Sequence, residues 1–262
     1  MRPTQASAPL LSVRDVAVSF GGIVALDGVS FDLHPGLIAG LIGPNGAGKT
    51  TLFNCLSRYY TPSSGDILFD GSSILAKPPH QIAHLGIGRT FQNLALFRSL
   101  SVLDNVKIGG HCRSRSDYLS DALRLPWTGR TEASLDLRSR EIVAYLGLDG
   151  VLDRRVADLP FGTQKRVELA RALASSPRLL LLDEPACGLN HEEVGALSTS
   201  IRQIRDDLDV TILVVEHHMN LVMSISDRVI ALNFGRKIVE GVPAQVQQDA
   251  QVISAYLGAG HA

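Results

Sequence analysis

Cysteine is scarce in this chain of 262 residues, and the few cysteines show no pairing pattern. Cys55, Cys112 and Cys187 are odd in number, widely spaced and free of a C-x-x-C motif. A disulfide framework needs an even set of cysteines, and a zinc site needs clustered ligands. The cysteine content therefore argues against both and is typical of a protein from a reducing compartment.

An excess of charge of one sign and long hydrophobic runs are also missing. The chain has 25 basic and 26 acidic residues, a formal net charge of −1 at pH 7. This balance gives no electrostatic reason to expect a nucleic-acid partner. Because no run of about 18 apolar residues occurs, the sequence predicts no transmembrane helix. Residues 1–10 lack the apolar core of a signal peptide, so none is expected.

Apolar residues, by contrast, make up 45% of the chain, and 19% of its residues are charged. This composition is typical of a globular protein with a full hydrophobic core. The length favours one compact domain with a subdomain over two independent domains.

A glycine-rich loop follows the apolar run at residues 37–42 and matches the P-loop pattern G-x-x-x-x-G-K-[ST]. Its glycines let backbone N–H groups turn toward a polyphosphate, and a helix predicted over 50–57 adds its N-terminal dipole. The pattern predicts binding of a nucleoside triphosphate, with Lys49 on the β- and γ-phosphates and Thr50 on Mg²⁺. The predicted nucleotide contacts in the loop are Gly43, Pro44, Asn45, Gly46, Ala47, Gly48, Lys49, Thr50 and Thr51.

Two carboxylates close another apolar segment. Residues 179–182 are all leucine, the pattern of a parallel strand buried on both faces, and Asp183 and Glu184 follow at once. Adjacent carboxylates in such a place are costly unless a cation or a reaction uses them. Beside a P-loop they predict a Walker B pair, in which Asp183 holds Mg²⁺ and Glu184 polarises the attacking water as general base.

Further candidates lie at the ends of other predicted strands. Phe20 could stack on an adenine ring, with ordinary core packing as the alternative. Gln92 follows a strand that would deliver its amide near Mg²⁺ and the attacking water, with an ordinary surface glutamine as the alternative. His217 follows the strand 210–215, at the edge where ligands gather in open α/β sheets, and is expected to donate to the γ-phosphate. His218 is expected to face solvent.

The pattern of charged and apolar residues over 94–158 differs from that in the rest of the chain. Charged and apolar residues recur there at helical spacing, which predicts a helical segment. Residues 126–129 are expected to form an exposed loop between helices. After this stretch, residues 159–164 open a helix predicted to run to about residue 175, and 227–232 with 236–240 are predicted to form a β-hairpin.

These motifs stand in the order found in ATP-binding cassettes, and the chain resembles that family over residues 11–258. In the family's terms Phe20 is the A-loop, Gln92 the Q-loop and His217 the H-loop. The resemblance adds a signature made of Leu159, Pro160, Phe161, Gly162, Thr163 and Gln164, and a D-loop made of Gly188, Leu189 and Asn190. It implies ATP as substrate, catalytic roles for Glu184, His217 and Gln92, and Mg²⁺ ligation by Thr50, Gln92 and Asp183.

The resemblance also implies a fold. This is an α/β P-loop NTPase with a RecA-like core, an antiparallel β subdomain and an inserted helical subdomain. Residues 11–93 and 159–236 would form the core with its β subdomain, 94–158 the helical insert, and 237–258 a C-terminal extension.

A finer resemblance is to the ATPase subunits of branched-chain amino acid importers, and it rests on residues 88–93, 184–190, 216–223 and 252–258. It implies an ATPase at the cytoplasmic face of the cell membrane that powers import. Its implied partners are a second ATPase subunit, two permease subunits and, indirectly, an extracytoplasmic solute-binding protein, with no nucleic acid. Related members serve amides, urea or other amino acids, and a soluble cassette ATPase without a permease is the alternative of another class.

Two positions depart from the family pattern. Pro160 stands where a serine hydroxyl usually contacts the γ-phosphate bound by the opposite subunit, and proline offers neither a hydroxyl nor an N–H. Asn190 replaces a common aspartate of the D-loop. These two residues are compatible with a working homodimer and with a heterodimer that contains a specialised paralogue.

Overall fold

The computed structural model describes residues 8–113 and 126–258, and within them the strands form two sheets. The strands are β1 (Leu11–Phe20), β2 (Ile23–Leu33), β3 (Ile38–Ile42), β4 (Ser64–Phe69), β5 (Ser72–Ser73), β6 (Ile87–Arg89), β7 (Leu179–Asp183), β8 (Thr211–Val215), β9 (Arg228–Asn233) and β10 (Arg236–Gly241). The described α-helices are α1 (Lys49–Leu56), α2 (Ile82–Leu85), α3 (Val102–Gly110), α4 (Pro126–Tyr145), α5 (Phe161–Ala174), α6 (His191–Leu208), α7 (Met219–Ile225), α8 (Pro243–Gln248) and α9 (Ala250–Gly258).

The smaller sheet is antiparallel, with the strand order β2-β1-β4-β5. The larger sheet has the order β10-β9-β3-β8-β7-β6, in which every neighbouring pair is parallel except β10 with β9. The last pair is the predicted β-hairpin, which is thereby confirmed.

The larger sheet positions the site. Its strands β3, β7 and β8 are buried at every residue, as expected for parallel strands with both faces covered. Because parallel strands end at the same edge of a sheet, the segments that follow β3, β6, β7 and β8 are brought to one edge. These segments carry the P-loop, Gln92, Glu184 and His217.

The helical segment packs beneath this sheet. Val106 of α3, Val143 of α4 and Leu173 of α5 belong to one apolar cluster that also contains Leu180 and Leu182 of β7. The helix α3 starts at an N-cap, where Ser101 Oγ accepts a hydrogen bond from Asp104 N at 3.1 Å. Residues 114–125 of the predicted helical insert lie outside the described residues, and the predicted domain boundaries stay predictions.

The expected loop at 126–129 is wrong, because these residues belong to the helix α4. None of the described helices combines the length and apolar content that crossing a bilayer requires.

Candidate active site

The P-loop connects β3 to α1, and two of its glycines are required by geometry. Gly43 has φ 153°, and a Cβ there would lie 2.3 Å from the carbonyl oxygen of Leu232. Gly48 has φ 99°, and a Cβ would lie 2.6 Å from the carbonyl oxygen of Ala25. The backbone can therefore follow this tight path only without side chains at these positions.

The lysine of the loop is enclosed by the loop itself. Lys49 Nζ donates to the carbonyl oxygens of Gly43 at 2.7 Å and Pro44 at 2.9 Å. Burial lowers the pKa of Lys49, and the nearby charge of Glu184 acts in the opposite direction. Within the described residues α1 has no side-chain cap and no acidic residue in its first turn, so its positive end is open to an anion. The loop thus fits a polyphosphate.

The three predicted catalytic residues come together at the sheet edge. Gln92 Nε2 donates to Glu184 Oε2 at 2.8 Å, and His217 Nε2 lies 2.6 Å from Glu184 Oε1. The Glu184 carboxylate is nearly buried, and the residue adopts a left-handed φ of 48°, while its N–H donates to the Val215 carbonyl oxygen at 2.9 Å. Since a carboxylate only accepts, the hydrogen-bonded histidine carries its proton on Nε2. The catalytic roles themselves stay predictions.

Asp183 has a basic partner that sequence reasoning missed. Arg89 Nη2 donates to Asp183 Oδ2 at 2.8 Å, and the two side chains are only 9% and 5% exposed. Arg89 Nη1 also donates to Asn54 Oδ1 at 3.0 Å and Ser57 Oγ at 2.9 Å. The available signal was an arginine at the end of an apolar strand, because a buried charge requires an opposite one nearby.

The Mg²⁺ ligands predicted from the sequence are Thr50, Gln92 and Asp183, and all three offer oxygen atoms. Magnesium is a hard cation that binds a few protein oxygens together with phosphate and water. In the described part of the chain, no three His, Cys, Asp or Glu residues cluster as a metal site of their own. Three oxygen donors of this kind fit an ion that is held together with phosphate and water.

Glu216 is a further buried carboxylate at this edge of the sheet, and the sequence analysis assigned it no role. Its Oε1 accepts from the Ala186 N–H at 2.6 Å, and its Oε2 accepts from the His217 N–H at 3.0 Å. Glu216 thereby joins the turn after Glu184 to the loop that carries His217. His218 is exposed, as expected.

Phe20 lies at the end of β1 with 46% of its surface exposed, so the core-packing alternative is wrong. Its ring meets Tyr60 edge to face, with the ring centroids 5.1 Å apart. The adenine-stacking role stays a prediction.

The signature and the D-loop touch each other within the chain. Pro160 is the N-cap of α5 without a side-chain cap bond, and Gln164 Nε2 donates to the Leu159 carbonyl oxygen at 2.8 Å. The exposed ring of Phe161 covers Gly188, where a Cβ would lie 2.8 Å from Phe161 Cε1.

Asn190 caps the helix α6. Its Oδ1 accepts from the Glu193 N–H at 2.9 Å, and Glu193 Oε2 accepts from the Asn190 N–H at 2.9 Å. This is a complete capping box. Asn190, in place of the common aspartate, therefore still caps the helix, since asparagine and aspartate cap about equally well.

Glu168 fixes the segment that carries Gln92, and the sequence analysis did not identify it. This buried residue of α5 accepts from the N–H groups of Phe91 at 3.1 Å and Ala95 at 3.5 Å. Arg171 donates to the Ala95 carbonyl oxygen. Burial raises the pKa of the Glu168 carboxyl above its usual range. The helix that begins at the signature therefore holds the backbone on both sides of Gln92.

Known proteins match the chain over nearly its whole length. Residues 26–187 match the family model "ABC transporter", and residues 236–262 match "Branched-chain amino acid ATP-binding cassette transporter". The chain is 40% identical to the high-affinity branched-chain amino acid transport ATP-binding protein LivG of Escherichia coli (strain K12), over 96% of this chain and 99% of the relative. It is 38% identical to the corresponding BraF of Pseudomonas aeruginosa, with the same coverage.

A solved structure agrees with the fold. The chain aligns with the crystal structure of the ADP conformation of an ATP-binding cassette of an ABC transporter, at a TM-score of 0.82 and 28% identity, over 96% of this chain and 100% of that one. The P-loop NTPase fold expected from the sequence is thereby confirmed. The family model covers most of the chain, and the relative LivG is 40% identical over nearly its full length. The chain therefore belongs to the ABC transporter family of ATP-binding cassettes, which hydrolyse ATP to power transport.

Proposed function

We propose that this chain is the ATP-hydrolysing subunit of a membrane importer for branched-chain or closely related amino acids. The observation that carries the solute class is the match of residues 236–262 to the branched-chain amino acid cassette model. The relatives LivG and BraF support it, since both are named for transport of these amino acids. Importers of amides, urea or another solute are the alternative for the same motor.

The proposed nucleotide contacts follow from the geometry of the loop. Lys49 leaves the carbonyl oxygens of Gly43 and Pro44 for the β- and γ-phosphates, and residues 45–51 supply backbone N–H groups. Phe20 stacks on the adenine ring with its exposed face. Mg²⁺ held by Thr50, Gln92 and Asp183 would neutralise charge that develops on the phosphates.

Glu184 is the proposed general base. Each of its oxygens already accepts one hydrogen bond, from Gln92 or His217, and each keeps a second lone pair for a water molecule. The water oxygen bonds to the γ-phosphorus while its proton moves to Glu184, and the bond to the β,γ-bridging oxygen breaks with its electron pair going to ADP. His217 would turn its Nε2–H from Glu184 to the γ-phosphate when the nucleotide binds. Asp183 pairs with Arg89 beside this site.

The proposed assembly has two ATPase subunits that clamp two ATP molecules. Each site uses one chain's P-loop and the other chain's signature, residues 159–164, with the D-loop alongside. Since Pro160 lacks a hydroxyl, Gly162 and the N-terminus of α5 would offer backbone N–H groups and a dipole to the partner's γ-phosphate. Two permease subunits in the membrane, which this chain meets at the cytoplasmic face, and an extracytoplasmic solute-binding protein complete the importer.

Purification of the tagged chain from gently solubilised native membranes, followed by mass spectrometry, tests this function. We expect two permeases to be recovered, and in vesicles the complex should take up labelled leucine only with ATP inside the compartment that holds the ATPase. Recovery of soluble partners alone would overturn the importer and favour a soluble cassette ATPase. Uptake of urea or an amide in place of leucine would overturn the solute class. A second ATPase at equal ratio would identify a heterodimer, and its absence a homodimer.

A further inference from the structure

A tyrosine near the end of the described chain reaches the P-loop. The hydroxyl oxygen of Tyr256, in α9, accepts a hydrogen bond from the Gly43 N–H at 2.9 Å. The two residues are 213 positions apart in sequence. Burial raises the pKa of Tyr256, although the Gly43 N–H favours the charged form, so the neutral phenol is the form that accepts this bond at neutral pH.

Gly43 is the residue at which the chain turns from β3 into the loop. Its φ of 153° and the close approach of the Leu232 carbonyl oxygen leave no room for a side chain. Its N–H is held by Tyr256, and its carbonyl oxygen accepts from Lys49 Nζ. Because a buried N–H without a partner is costly, the hydroxyl fixes the peptide group that enters the loop.

Packing holds the tyrosine in place. Tyr256 packs against an apolar cluster that contains Ile42, the residue before the loop, and Val222 of α7. Met219, the first residue of α7 and two positions after His217, packs against the same cluster. The C-terminal helix therefore rests on elements that lead to both the P-loop and His217.

We propose that Tyr256 is a positioning residue whose hydroxyl holds the entry of the P-loop in the conformation that binds the phosphates of ATP. Tyr256 lies inside the segment matched by the branched-chain amino acid cassette model, residues 236–262, and its contact with Gly43 would give that segment a role at the nucleotide site. This role rests on the proposed binding of ATP by the P-loop.

The variant Tyr256→Phe tests it, because it removes one oxygen atom and keeps the ring. Tyr145→Phe is the matched control, since the Tyr145 hydroxyl donates to Asp207 Oδ2 at 3.0 Å on the surface of the helical segment. We expect Tyr256→Phe to weaken ATP and ADP binding by about threefold to tenfold, the usual effect of one lost hydrogen bond. The KM for ATP should rise by the same factor, with a smaller change in kcat, and the Gly43 amide should exchange with deuterium faster. Tyr145→Phe should leave nucleotide affinity unchanged.

Unchanged affinity in Tyr256→Phe would overturn the inference, whether or not its melting temperature falls. An equal loss of affinity in both variants would also overturn it, because the effect would not be local to the loop. The variant Lys49→Ala separates this failure from failure of the P-loop assignment. If Lys49→Ala binds ATP as tightly as the wild type, the nucleotide site itself is misplaced. If only Lys49→Ala loses binding, the P-loop is the nucleotide site and the proposed role of Tyr256 is wrong.

Discussion

The guanidinium of Arg89 and the carboxylate of Asp183 form a nearly buried ion pair, with Nη2 and Oδ2 2.8 Å apart. The same guanidinium lies 5.1 Å from the ring centre of Phe91 and 5.7 Å from that of Phe53. Nη1 of the same guanidinium donates to the side chains of Asn54 and Ser57 at the end of α1. Arg89 therefore connects the helix that follows the P-loop with the residue predicted to hold Mg²⁺.

Replacing Arg89 by methionine should leave Asp183 buried without a partner. We expect the free energy of unfolding in urea to fall by about 3–5 kcal/mol, the usual cost of breaking a buried pair. Arg178→Met is the control, since Arg178 pairs with Asp70 on the surface, where both side chains are more than half exposed. That pair should contribute far less to stability, because water and salt screen exposed charges. Equal losses in the two variants would contradict a special role for the buried pair.

The variant Glu184→Gln should bind ATP but not turn it over. Glutamine has nearly the same shape and cannot accept the proton of the attacking water, so kcat should fall by at least about 100-fold. Steady-state phosphate release and binding of a fluorescent ATP analogue measure the two quantities separately. Glu192→Gln, at an exposed glutamate in the first turn of α6, is the control and should behave as the wild type. Wild-type turnover in Glu184→Gln would remove Glu184 from the role of base.

Glu168 predicts a pH dependence of stability. Burial raises its pKa in the folded state, whereas the unfolded carboxyl titrates near its ordinary value of about 4.3. As pH rises from that value through the raised pKa, the unfolded state loses its proton first, so stability falls. Glu168→Gln removes this titration and keeps an acceptor for the Phe91 N–H.

Urea unfolding at a series of pH values should therefore show the variant gaining stability relative to the wild type across that window. Above the raised pKa the difference should become constant. A difference that falls as the pH rises would contradict the raised pKa.

Asn190 should matter to stability through its cap on α6. Asn190→Ala should lower the free energy of unfolding by about 1 kcal/mol, because the Glu193 N–H loses its acceptor. In a domain of this size that corresponds to a fall of about 2–4 °C in Tm. Asn190→Asp keeps the acceptor and should melt close to the wild type. If Asn190→Asp melts as early as Asn190→Ala, the cap is not what Asn190 contributes.

The parts of the site that follow strands could be predicted from the sequence. Paired carboxylates after four leucines and a lysine after glycines are local patterns, each with its own physical reason. The polar side chains that hold these parts together could not be predicted. Glu168 lies among the charges of a helix and looks like a surface residue, and Tyr256 is separated from Gly43 by most of the chain. The sequence misled at Pro126 because a proline followed closely by a glycine, here Gly129, is typical of a loop, whereas both residues lie in the helix α4.

The ring of Phe161 lies against Gly188, so the start of α5 and the segment after Glu184 share one surface. A displacement of the turn at Glu184 would travel four residues along the backbone and push on that ring. In the proposed pair of subunits this surface would face the neighbour's nucleotide, so hydrolysis at one site would displace a contact of the other site. The turnover of such a pair should then depend on both sites together, and its rate should respond to ATP concentration more steeply than that of two independent enzymes.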